Sequence, residues 1–453
     1  MKKNILKRAL HVWDHYWFTP ESLTRLAIYR IWVYAIILID VLVWTRGHLR
    51  YADVDPQLYH PIYFLNLFNI PAPTHPWLDI IYGLLAVFVF LALIGFKTNF
   101  FALLASGLYM YWVAQWFSFG WVHHLHPPLL FSMIVLGLSP SGARLSVDHL
   151  LKRLRKNHVA QQFTPKTDAA SSYAAWPLRF IQVIIIFLYF LSGYAKLKIS
   201  GWEWANGTTL QWYLMNDYLT FGAPEGLWLA NHKTLCILLS YFTLVFETGF
   251  ILALFLPRYA PWFLLVSFSF HLGTYITMRT FFEFLWLAYP VFFNFQKIGA
   301  WVRKKITAPR GLTKFAVLFD GQCPLCIRSV TTVDFLDWRG KFIFRDVNDW
   351  EQIARDYPGL DQQKSLEEMQ VTIPHSGGGY EALSGFYAFR KIAQHLPLGM
   401  LIWPFMYIPG VPFIGKRIYQ FIASRRKRIT GGARCSFHTC EIPVASKQLA
   451  SNQ

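Results

Sequence analysis

Residues 314–326 read KFAVLFDGQCPLC, and this stretch marks the change from one kind of chain to another. Lys314–Phe319 is a short apolar run of the kind that forms a buried strand. Asp320-Gly321 makes a tight turn, and Pro324 suits the first turn of a helix, where its missing N–H costs nothing. Cys323 therefore arrives at a helix N-terminus, where unpaired N–H groups and the helix dipole stabilise an anion. That environment favours a thiolate, which makes Cys323 the expected nucleophile. Cys326, one turn further on, is the expected resolving thiol.

The segments beyond it alternate in the same way. A helix is predicted over Pro324–Trp338, a strand over Lys341–Arg345, a short helix over Trp350–Tyr357 and a third strand over Met369–Ile373. Ser376–Gly379 turns the chain into a strand at Tyr380–Leu383, and a helix follows through about Gln394. Strand, helix, strand, helix, hairpin and helix is the order of an α/β thioredoxin-like domain. Leu401–Gly415 is apolar but holds Pro404, Pro409 and Pro412, so it is too short and too broken to span a bilayer. It is expected to pack on the domain or to lie in the membrane interface, with Arg425, Arg426, Lys427 and Arg428 meeting anionic headgroups.

Upstream of Thr313 the chain reads as membrane protein. Only 15% of the 453 residues are charged, against about 25% in soluble proteins, and 54% are hydrophobic, with 19 Trp, 23 Tyr and 40 Phe. Eight apolar runs are candidate spans: Arg25–Trp44, Trp77–Phe96, Asn99–Phe119, Trp121–Leu138, Pro177–Leu197, Leu235–Leu256, Ala260–Met278 and Phe281–Phe295. The net charge of +18 is concentrated beside them. Lys2, Lys3, Lys7 and Arg8, then Arg144 to Lys166, then Lys297 to Arg310, all fall on one side of an even number of spans. By the positive-inside bias that side is cytoplasmic, which predicts a multi-pass bacterial-type inner-membrane protein with both termini in the cytoplasm. The same reading assigns the charge to the lipid bilayer rather than to nucleic acid. The start is basic, then amphipathic, so no cleavable signal peptide is expected. Ser139–Trp176 reads as a solvated linker. The expected domains are a polytopic membrane part at 1–300, a basic linker at 301–312, the α/β domain at 313–434 and a Cys-containing tail at 435–453.

Four of the five cysteines lie in the last third, and Cys236 stands alone in an apolar run as a small core residue. Cys pairs of this kind serve redox chemistry or a metal. The metal alternative is a zinc site from Cys323, Cys326, Cys435 and Cys440, with His438 in reserve. Within the apolar runs, ionisable residues are functional candidates. They are His124 and His126 in WVHHLHPP, Lys196 in YAKLK, and His271.

Asp320-Gly-Gln-Cys323-Pro-Leu-Cys326 after a strand, Arg328, Gly385-Phe-Tyr-Ala388 and Ile408-Pro-Gly410 together resemble the DCC family of thiol–disulfide oxidoreductases. The resemblance runs over roughly Lys314–Arg434. It implies a thioredoxin-like fold with Asp320, Cys323 and Cys326 as motif residues, no cofactor for the dithiol chemistry, and a protein or small-molecule disulfide as substrate. A reducing cytosol would make such a domain a reductase. The part from Pro20 to Phe295 resembles the HTTM domain shared with vitamin K-dependent γ-carboxylases, on Lys196-Leu197 with Trp202, on the run to Ser146-Val-Asp148, and on Phe270-His271. That resemblance implies a quinol-deprotonating base at Lys196 and histidine roles at His126, His124 and His271. Three functions follow: a membrane-tethered thiol–disulfide oxidoreductase with a possible link to quinone chemistry, a transporter or assembly factor with a zinc-stabilised adaptor, or a quinol-dependent membrane enzyme with an accessory redox domain.

Overall fold

The computed structural model describes residues 2–120, 126–155, 170–280, 282–295, 297–299, 314–375 and 378–429. The chain divides into two compact units, residues 1–148 with 168–299, and residues 149–167 with 300–453.

The first unit is built from helices. The main ones are α1 (Lys2–Phe18), α2 (Leu23–Ile39), α3 (Trp77–Ile94), α4 (Thr98–Phe117), α5 (Pro127–Gly137), α6 (Ser172–Ser200), α7 (Lys233–Gly249) and α8 (Ala260–Met278). Helix α2 continues into a π turn at Asp40–Trp44. Among the described residues, five helical segments are long and apolar enough to cross a membrane: Leu23–Trp44, Trp77–Ile94, Thr98–Phe117, Ser172–Ala205 and Lys233–Phe255.

Three of the eight expected spans do not meet that measure. Of the fourth, residues 121–125 lie outside the described residues, and the described part forms the 11-residue helix α5, which Pro127 and Pro128 begin. The eighth is a six-residue helix, Glu283–Ala288, followed by a 3-10 turn at Tyr289–Phe292 that carries Pro290. The seventh, α8, is a 19-residue helix whose apolar run is diluted by Ser267, Ser269, His271 and Thr274.

Ser139–Trp176 is also not a solvated linker throughout. Ser139, Ser141 and Ser146 are buried, and the guanidinium of the buried Arg30 donates to the carbonyls of Ser141 (3.0 Å) and Leu145 (2.6 Å). Asp148 then caps α4 from outside it. Its carboxylate accepts the backbone N–H groups of Lys97 and Thr98, both at 2.8 Å, and the Thr98 hydroxyl at 2.7 Å. Orphan N–H groups at a helix start are thereby satisfied by a residue about 50 positions away.

Helices α6 and α7 meet at a glycine. A Cβ on Gly193 would lie 2.8 Å from the Glu247 Cβ and 2.9 Å from the Thr248 backbone nitrogen, so the absence of a side chain lets the two helices close. Cys236 is buried, as expected, and its thiol donates to the Leu229 carbonyl at 3.3 Å.

The second unit holds one four-stranded sheet. Its strands are β1 (Phe315–Phe319), β2 (Phe342–Asp346), β3 (Gln370–Pro374) and β4 (Tyr380–Ser384), in spatial order β2-β1-β3-β4. β1 and β2 run parallel, joined by α9 (Pro324–Leu336), while β3 is antiparallel to both β1 and β4. A parallel pair needs such a crossover helix; an antiparallel pair needs only a turn. Helices α10 (Trp350–Asp356), α11 (Gln362–Glu367), α12 (Gly385–His395) and α13 (Val411–Ile429) complete it. The expected element order holds, with boundaries within one or two residues. Pro374 is the last residue of β3 and pairs with Tyr380. The linker at 301–312 and the tail at 435–453 lie outside the described residues.

Two outcomes follow. Asp148→Ala should lower stability by about 1–2 kcal/mol through loss of the α4 cap, and Asp148→Asn by less. Thermal unfolding of the detergent-solubilised chain reads this, and an unchanged Tm for Asp148→Ala contradicts the capping role. His395 lies against Phe315 (ring centroids 4.4 Å), and burial holds its pKa below the usual histidine value. The unfolded chain therefore binds the extra proton first as pH falls below about 6.5, and the second unit should lose stability there. His395→Gln should flatten that dependence in a pH series of amide exchange over 315–346.

Candidate functional site

Sheet register builds the dithiol site. In the parallel pair, Phe319 at the end of β1 stands beside Asp346 at the end of β2. The chain leaves β1 into Asp320-Gly321, so the Asp346 carboxylate faces that turn directly. It accepts the Gly321 N–H at 2.9 Å, the Asn348 N–H at 3.0 Å and the Asn348 side-chain amide at 2.7 Å. A Cβ on Gly321 would collide with that carboxylate, so the glycine lets the Asp346 side chain come this close. Asp320 is buried, and its Oδ1 accepts the Gln322 N–H at 3.0 Å and the Asn348 amide at 3.2 Å. Asn348 thus ties both carboxylates together.

The turn delivers Cys323 to the N-cap of α9 with extended backbone angles (φ −95°, ψ 110°). The Cys326 N–H donates to the Cys323 sulfur at 3.4 Å. A sulfur in this position faces the positive end of a 13-residue helix, an arrangement that offsets part of the cost of a charge there. Both cysteines are buried, Cys323 completely, in a cluster with Phe319, Val330, Met369 and Val371. Cys323, the expected nucleophile, thus lies beneath apolar side chains. Arg328 is exposed on the second turn of α9.

Asp346 and Asn348 were missed by sequence reasoning. Asp-Val-Asn after a strand is an ordinary turn signal, and its partner turn is about 25 residues away, so only the parallel register joins them.

The described candidates in the first unit take part in three hydrogen-bonded groups. Lys196 donates to the Glu247 carboxylate (2.5 Å) and to the Ser192 hydroxyl (3.0 Å), and its ammonium lies 5.3 Å from the centre of the Trp204 ring. Glu247, across the Gly193 contact, is buried. The expected lone base is therefore one half of an ion pair. His126 Nδ1 pairs with the Tyr109 hydroxyl (2.8 Å), which donates to the buried Asp40 carboxylate (2.8 Å). His271 Nε2 pairs with the Tyr189 hydroxyl (2.7 Å), which also meets Tyr289 (2.5 Å) and Ser267. Glu247, Asp40, Tyr109, Tyr189 and Tyr289 were not singled out from sequence. A carboxylate or phenol inside an apolar run was the available signal. His124, Cys435, His438 and Cys440 lie outside the described residues, and so does most of the alternative zinc set. Among the described residues no three His, Cys, Asp or Glu side chains converge as a metal site.

With this geometry in place, comparison with known proteins identifies the second unit. Residues 317–432 match the DCC1-like thiol-disulfide oxidoreductase family. An uncharacterized chloroplastic protein of Arabidopsis thaliana is 30% identical over 122 residues, which is 26% of this chain and 53% of that protein. The chain thus spans about half the length of the curated relative it matches. No solved structure matches. The DCC1-like match takes in the whole sheet apart from the first two residues of β1, together with both cysteines and Asp346.

Asp346→Ala strands three donors at the turn and should destabilise the second unit by about 2–3 kcal/mol. Gly321→Ala should do so by about 1–3 kcal/mol through the collision with Asp346. Amide exchange over 315–347 in the full chain checks both, and native protection in either variant contradicts the clamp.

Proposed function

We propose that the chain is a membrane-tethered thiol–disulfide oxidoreductase that works as a reductase through Cys323 and Cys326. The observation that carries this reading is the Cys326 N–H directed at the Cys323 sulfur, at the start of α9, inside a DCC1-like domain. The Cys323 thiolate attacks a substrate disulfide: a bond forms between Cys323 and one substrate sulfur, and the other sulfur leaves as a thiolate and takes a proton. The Cys326 thiolate then attacks the Cys323 sulfur, releases the second substrate thiol and leaves a Cys323–Cys326 disulfide. Two electrons pass to the substrate, and a dithiol donor restores the pair. The five long apolar helices support anchoring in a bilayer, and the basic segments beside them support a cytoplasmic site for the dithiol.

A second reading, a quinol-dependent enzyme with an accessory redox domain, is favoured by the Lys196–Glu247 pair. A carboxylate holding a lysine among aromatic side chains is an acid–base couple that suits a phenolic hydroxyl.

Cys323→Ser should abolish disulfide reduction by the full chain, a loss of at least about a hundredfold, while Cys326→Ser should trap a mixed disulfide with substrate. Undiminished turnover by Cys323→Ser removes the first reading. A quinone that co-purifies with the wild-type chain and is lost in Lys196→Ala would move the chemistry to the first unit.

A further inference from the structure

The second unit carries an apolar surface that its own fold leaves uncovered. Two 3-10 turns, Gly399–Leu401 and Trp403–Tyr407, lead into α13, and Leu401 (70% exposed), Phe405 (63%), Phe413 (63%) and Phe421 (54%) stand out from them, with Ile402, Ile414 and Ile418 beside them. Helix α13 touches the domain along one narrow stripe. Gly415 faces Phe386, and the Tyr419 hydroxyl accepts the Met369 N–H at 2.9 Å. The remaining faces are exposed. An apolar patch of this extent on a small domain marks a contact surface.

Charge identifies the partner. The sequence of α13 holds Lys416, Arg417, Arg425, Arg426, Lys427 and Arg428 and no acidic residue. Cations and rings alternate along it. The Arg417 guanidinium lies 4.8 Å from the Phe413 ring centre, and that of Arg425 lies 4.1 Å from Phe421. Nearby, Arg390 lies 4.1 Å from Tyr407. Long basic side chains lying along exposed aromatics offer apolar groups for acyl chains and cations for phosphates at one level. A protein partner would match this much positive charge with acid, and a span would not tolerate it. A bilayer surface with anionic headgroups satisfies both demands.

We propose that residues 399–425 dock the redox unit flat onto an anionic bilayer surface, with Phe405, Phe413 and Phe421 entering the headgroup–acyl boundary. This rests on the reading that the chain is membrane-anchored, and its test keeps the two apart. Benzoylphenylalanine replaces Phe421 in one full-length chain and Phe90, an exposed residue of the long apolar helix α3, in another. Both are reconstituted in nanodiscs containing phosphatidylglycerol, irradiated, and analysed for adducts. Lipid adducts at both positions are expected. In Arg417→Glu/Arg425→Glu, or in discs of phosphatidylcholine alone, the yield at position 421 should fall roughly tenfold or more while that at position 90 holds. Lipid adducts at position 90, with only adducts to protein at position 421, overturn the docking surface and leave the anchoring intact. Those protein adducts, to this chain or to a second copy, would name the true occupant. Lipid adducts at neither position overturn both.

Discussion

The contact between the Asp346 carboxylate and the Gly321 backbone fixes the turn that carries the Cys323–Cys326 pair. Everything at the dithiol follows from it. Parallel pairing of β1 with β2 brings the carboxylate to the end of β1, and the missing side chain at Gly321 lets it reach the N–H. Asn348 then links it to Asp320. With the turn held from two sides, Cys323 has one place to go, the N-cap of α9, where a backbone N–H meets its sulfur. The same packing buries that sulfur. The helix N-terminus and the apolar burial therefore act on that sulfur in opposite directions, the first favouring a charged form and the second opposing it.

In the first unit the governing constraint is the cost of leaving charge or polar groups unmet among apolar side chains. Three buried ionisable groups are each met by a neighbour. Arg30 turns to backbone carbonyls, Asp40 to Tyr109, and Glu247 to Lys196. Removing one member of the Glu247–Lys196 pair would leave the other charge stranded, so both must be considered together in any account of that site. The Gly193 contact explains why the pair forms at all, since a larger residue would hold α6 and α7 apart.

Much of the redox unit was legible in the sequence because its signals are local. Strand runs such as FAVLF, the Asp-Gly turn and Pro324 each decide their own few residues. What escaped depends on contacts across the chain. Asp346 is an ordinary turn residue until β2 pairs with β1. Glu247 and Tyr109 are single polar residues in apolar runs until a helix brings Lys196 or His126 beside them. Of the expected spans, the fourth and eighth hold prolines at helix starts, Pro127-Pro128 at α5 and Pro290 in the 3-10 turn, and their described helices are short. The DCC resemblance was carried by spacing around two cysteines and is matched over 317–432. The resemblance of the membrane part rested on scattered residues such as Lys196 and His271, which no local run ties together.

The most direct test is to count alkylatable thiols in the full chain, held in a membrane mimetic, before and after equilibration with a disulfide oxidant and then with a dithiol reductant. The account predicts that Cys323 and Cys326 disappear together on oxidation and return together on reduction, with peptide mapping locating the bond between them. A pair that stays reactive throughout, or that disappears only into mixed products with other residues, would contradict it.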